Sequence, residues 1–212
     1  MLEQKALAYA NMYGVLGALE NLCVLDNKAK EIIKVISKPV SLCFDVKEPG
    51  VPVKGVVTLL KFLTGPFTAL TNRLTEILRP NEEAMSDRAF FEENTMLTMY
   101  VIAGAISALA NNESIAKISA ANTPDGDVQL GIKDKAAVTI SVKDHHFTTV
   151  KKPCDDPRAV MEFASIDLAN GLFSGTVSTI NEMCKGNIRL AGVLSMVDNI
   201  NRILDRVSLY LE

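Results

Sequence analysis

Apolar positions in this chain follow two rhythms, and the change between them organises it. Up to about residue 121 they recur mostly every three or four residues, the spacing of one helix face. Ala6, Tyr9, Met12, Leu16, Leu19 and Cys23 predict a helix over 3–25, with a short one over 27–36. Leu42, Phe44 and Val46 alternate like a strand that Glu48-Pro49-Gly50 ends, and 51–56 reads as a second short strand. A helix is expected over 58–78, broken or kinked at Gly65-Pro66. Pro80-Asn81-Glu82-Glu83 marks a boundary and a helix start. Helices over 82–92, 94–111 and 113–121 follow.

After the turn Thr123-Pro124-Asp125-Gly126 the period becomes two. Val128, Leu130 and Ile132 alternate, as do Val138, Ile140 and Val142, with Asp134-Lys135 as the tight turn between them. Further strands are expected near 146–151 and 160–163. Helices over 165–173 and 175–184 come next, then a fifth strand from Ile188 to Gly192 and a last helix over 196–211. Gly186 is placed to end the helix before that strand.

The uncharged stretch 94–112 contains MLTMYVIAGAISALA. A spanning helix needs roughly 20 consecutive apolar residues. A helix that is apolar all round but shorter than this predicts a central core element.

The chain also matches itself in part. Met12-Tyr13-Gly14-Val15-Leu16-Gly17-Ala18 pairs with Met99-Tyr100-Val101-Ile102-Ala103-Gly104-Ala105, and the 42–47 strand with 128–133. The 51–56 run resembles 188–193, and a helix carrying Asn-Arg-Leu or Asn-Arg-Ile follows each. This reads as a truncated, mostly helical repeat at 1–80 preceding a complete unit at 81–212. One or two strands do not make a stable sheet alone, so the short copy is expected to dock on the full one or on another chain.

Composition narrows the function. Apolar residues make up 48% and charged residues 22%, so most of the chain should fold. A net charge of -3 without a basic run argues against nucleic acid, whose affinity comes from clustered Lys and Arg. Eight Met and no Trp suit a loosely filled core or an adaptable binding surface. Cys23, Cys43, Cys154 and Cys184 have neither CxxC nor zinc spacing, and no signal peptide precedes them. They read as reduced, buried thiols of a cytoplasmic protein.

Candidate chemistry is sparse. His145-His146 would point to opposite faces of a strand and fit a hairpin turn better than a metal site. Glu82-Glu83 and Glu92-Glu93 read as solvated helix faces. Cys154, near Lys151 and Lys152, has no histidine placed beside it by the sequence. No nucleophile elbow, phosphate loop or dinucleotide fingerprint occurs. No catalytic residue, metal or cofactor is expected.

Residues 94–212 resemble the sterol carrier protein family of non-specific lipid-transfer proteins. The resemblance rests on order and on short stretches. A helix leads into the 128–150 meander, and Arg158-Ala159-Val160-Met161-Glu162-Phe163 precedes short helices. Ser165-Ile166-Asp167-Leu168-Ala169 opens the first of these, capped by Ser165 or Asp167. Leu172-Phe173-Ser174-Gly175 and Cys184-Lys185-Gly186-Asn187-Ile188-Arg189-Leu190-Ala191-Gly192 complete the pattern.

This resemblance implies an α+β fold: a five-stranded, mainly antiparallel sheet covered by helices, here with an N-terminal helical extension holding one or two extra strands. It implies a lipid or fatty-acid-like ligand in an apolar tunnel between sheet and helices, with no catalysis. The lining would come from Phe163, Leu168, Leu172, Phe173, Met183, Leu190, Met196, Ile200 and Leu204, with Met96, Met99 and Tyr100 from the preceding helix. Core packing is the ordinary role of each such residue, and the ligand role competes with it. No transmembrane segment is expected, while transient membrane contact and a homodimer stay open. A structural or interaction module with no stable ligand is the alternative function.

Overall fold

The computed structural model describes residues 3–34 and 65–211. The strands expected near 40–46 and 51–56, the start of the 58–78 helix, the strand half of the repeat and Cys43 lie outside the described residues. In chain order the helices are α1 (Gln4–Tyr9), α2 (Leu19–Leu25), α3 (Asn27–Lys34), α4 (Pro66–Leu78), α5 (Glu82–Met85), α6 (Arg88–Asn112) and α7 (Ala116–Ala121). Then come β1 (Gly126–Ile132), β2 (Ala136–Lys143), β3 (His146–Val150), β4 (Ala159–Phe163), α8 (Ile166–Phe173), α9 (Thr179–Cys184), β5 (Ile188–Gly192) and α10 (Leu194–Leu211).

The fold is α+β, with a five-stranded sheet in the order β3-β2-β1-β4-β5. Three pairings are antiparallel, and β1 pairs with β4 in parallel. The sheet is therefore mixed, though mainly antiparallel as expected. The parallel pair requires the chain to travel back along the sheet before β4. It does so on the outer face, where the Thr139 hydroxyl donates to the Lys152 carbonyl (2.8 Å) and the Cys154 N–H donates to Gln129 Oε1 (3.1 Å).

The two rhythms explain the layers. Val128, Leu130, Ile132, Val138, Ile140 and Val142 point inward beneath α6 and α10, while Lys143 and Arg189 stay exposed. The β2–β3 turn places Asp144 and His145 at positive φ (51° and 61°), the backbone of a two-residue hairpin turn. His145 thus sits in the turn and His146 opens β3, both exposed.

The expected pair of helices over 82–92 and 94–111 is instead the short α5 and one 25-residue helix, α6. Asp87 starts α6 by accepting from the Ala89 and Phe90 N–H groups. Its uncharged stretch is core, with Leu97, Met99, Ala103, Ala105, Ile106 and Leu109 all buried. No helix among the described residues is long and apolar enough to cross a membrane.

The expected helix over 3–25 is helical throughout but irregular. A π-helical segment (Ala10–Val15) and a 3-10 turn (Leu16–Ala18) separate α1 from α2. That irregular segment lies against α6. A Cβ added at Gly104 would sit 2.5 Å from the Tyr13 carbonyl oxygen and 3.1 Å from the Gly14 Cα. Two glycines therefore let these helices touch backbone to backbone.

Packing falls into two clusters. The larger joins the inner face of the sheet to α6, α10 and Ala6 and Ala10 of the N-terminal helix. The smaller unites Ala18, Leu22, Ala29, Leu70, Leu74 and Ile77 with Leu97 and Val101 of α6. Helix α6 belongs to both.

Candidate functional site

The expected ligand-lining residues mostly gather on one side of the sheet, but unevenly. Met99 and Met196 are fully buried, with Phe163 and Ile200 nearly so. Leu168, Leu172, Phe173, Leu190 and Leu204 are half-buried against the same cluster. Met161 and Val193 join them, although neither is among the lining residues that the resemblance implied. Phe173 meets Phe163 edge to face at 5.7 Å. Met183 lies apart: it is 43% exposed on α9 and is not among the residues packed on the cluster. Among the described residues, helix α9 rests mainly on β5. Its neighbour Ile180 is 73% exposed.

Met96 and Tyr100 are also half-buried on the cluster, but each reaches a different pocket. Tyr100 borders a pocket of about 410 Å³ at the β1–β2 hairpin, with Gln129, Ala137, Lys151 and Glu162. Burial pushes the Tyr100 hydroxyl above its usual pKa. Met96 borders a pocket of about 440 Å³ among α3, α4 and α6, with Asp26, Arg73, Glu92 and Glu93.

Local sequence positions the helices over β4 and β5. The Ser165 hydroxyl accepts from the Leu168 N–H at 3.2 Å and starts α8. Gly175, at φ 70°, follows its end. The expected second helix begins at Thr179 rather than 175, because the Ser178 hydroxyl supplies its cap. Polar ties hold α8 on α6. The Asn170 amide donates to Thr95 Oγ1 (2.9 Å) and Asn94 Oδ1 (3.4 Å), while Asn94 donates to the Ile77 carbonyl of α4. Arg88 holds Asp167 through two hydrogen bonds, 2.6 and 2.9 Å, and keeps that carboxyl below the usual range.

Other expectations change. Glu92-Glu93 does not form a solvated face. Glu92 is held by Lys135 of the hairpin (2.7 Å) and Arg88 (3.3 Å), and Glu93 turns toward Asp26 and Arg73. No local signal in the sequence could have shown this, since the partners come from distant elements. The three described cysteines are free, and none is fully buried. Burial raises the pKa of Cys23, Cys184 is exposed, and Cys154 donates to Asp127 at 3.4 Å. Among the described residues no group of three or more His, Cys, Asp or Glu is placed to hold a metal ion.

Chemically, the end of the sheet at β4 and β5 offers apolar contact and little else. Of its charged groups, Glu162 of β4 and Arg189 of β5 lie 3.8 Å apart across the two strands.

No family model matches the chain, and no curated protein matches it. Among solved structures it is similar to one titled "UbiJ-SCP2 Ubiquinone synthesis protein", at 12% identity over 50% of this chain and 95% of that one, with a TM-score of 0.37.

Proposed function

We propose that this chain binds a lipid or another apolar small molecule between β4–β5 and helices α8, α9 and α10, and carries it without acting on it chemically. One observation supports the reading above the others. A band of apolar side chains (Met161, Leu168, Leu172, Phe173, Leu190 and Leu204) is left half-covered against the main core where β4, β5, α8 and α10 meet. Contiguous apolar surface of this kind marks a place where something apolar docks. Each buried CH2 of a ligand contributes about 0.8 kcal/mol, so an acyl chain needs few polar contacts. Beside the 18-residue α10, the cover includes helices of only 8 and 6 residues, short enough to part at low cost and admit a ligand.

Exposed Ile180 and Met183 favour a second reading, an interaction module that pairs through α9 and holds no stable ligand. Native mass spectrometry of freshly purified protein separates the two. A carrier shows added mass that disappears under denaturing conditions. A bare mass, unchanged after incubation with fatty acids and sterols, rejects the carrier; a dimer seen with it supports the module.

A further inference from the structure

The pocket among α3, α4 and α6 contains more negative charge than its partners satisfy. Asp26 is 4% exposed. Its Oδ1 accepts from the Ala29 N–H (2.6 Å), and Oδ2 accepts from Arg73 Nε and Nη2 (2.9 and 2.5 Å). Arg73 turns Nη1 to Glu76 at 3.1 Å. Against burial, which would raise it, these donors hold the Asp26 carboxyl below its ordinary pKa. Glu93, from α6, lies beside Asp26, and its Oε1 is buried with no donor reaching it from the described residues. Two carboxyl groups in contact cannot both ionise cheaply, and a protonated one can donate to the other.

We infer that a proton held by Glu93 and donated to Asp26 clamps the N-terminal helices α2, α3 and α4 onto α6, and that losing it loosens them. The charges facing Glu93 come from every element around it. Asp26 and Lys28 approach from the α2–α3 side, Arg73 with Glu76 from α4, and Glu92, paired with Lys135 and Arg88, from α6 and the hairpin. Burial first, then the Asp26 charge, pushes the Glu93 carboxyl up to about 7, and Arg73 and Lys28 only partly offset them. A raised carboxyl favours the docked state while it is protonated. The clamp is therefore fully present below the free-glutamate pKa of about 4.3, weakens as pH rises, and is gone once pH passes about 7. Asp26 works in the opposite sense and loses its contribution only in acid. This inference does not depend on the ligand reading.

Hydrogen exchange of the full chain, corrected for the intrinsic pH dependence of exchange, tests it. Opening of α2 and α3, read at buried Leu22 and Ala29, is expected to rise by up to about tenfold per pH unit between about pH 5 and 7 and then level off. The β1–β3 amides should show no such step. Glu93→Gln, whose amide donates to Asp26 at any pH, should abolish the step; an identical profile in wild type and variant overturns the inference. The wild-type carboxyl can also be followed by carbon-13 NMR, independently of any variant. A Glu93 midpoint near 7 supports the clamp, and one near about 4.3 refutes it.

Discussion

The two ends of the sheet carry the same alternation and meet different covers. At β2 and β3, Val138, Ile140, Val142 and Phe147 are all at or below 2% exposure beneath the 25-residue α6. At β4 and β5, Met161 and Leu190 point to the same side yet stay half-exposed beneath the short α8 and α9 and the longer α10. A pattern in the strands states which side faces in. Whether that side closes depends on the length and reach of helices that come from elsewhere in the chain.

Substitutions can break this contrast in decreasing steps. Phe147→Ala, at the closed end, should cost about 3–5 kcal/mol in denaturant unfolding. Met196→Ala should cost about 2–5 kcal/mol and leave ligand uptake little changed, because Met196 is fully buried in close-packed core. Gly104→Ala forces α6 away from Tyr13 and should cost about 1–3 kcal/mol, seen as a lower Tm. Leu172→Ala, at the half-covered end, should cost only about 1 kcal/mol while reducing the lipid retained in native mass spectra. If Leu172→Ala proves as destabilising as Phe147→Ala, the two ends are equally closed and the ligand reading fails.

Much of this fold was legible in the sequence. Period-two runs located β1 and β2, Gly186 and Gly192 bounded β5, and the uncharged 94–112 stretch marked the core helix. The join at residues 92–94 was misread because periodicity does not reveal caps; the cap that matters, Asp87, lies earlier. The irregular turns at 10–18 were hidden as well, since they follow from a glycine contact between distant helices. At the candidate site, Leu168, Leu172 and Phe173, which the family resemblance grouped, pack half-buried on one cluster. The resemblance did not separate Met183 from them, although it is 43% exposed on α9. Glu93 was the largest miss, since a charge on a helix looks solvated until Asp26 and Arg73 arrive from far along the chain.

The parallel seam between β1 and β4 also has a consequence in time. The β1–β2–β3 meander closes through short turns and can form early, whereas β4 must wait until the chain has recrossed the outer face to Thr139 and Gln129. The half-covered end is thus the last part to assemble and the first expected to fray. A folding pulse should show strands β1–β3 protected first, with β4, α8 and β5 following as a later unit.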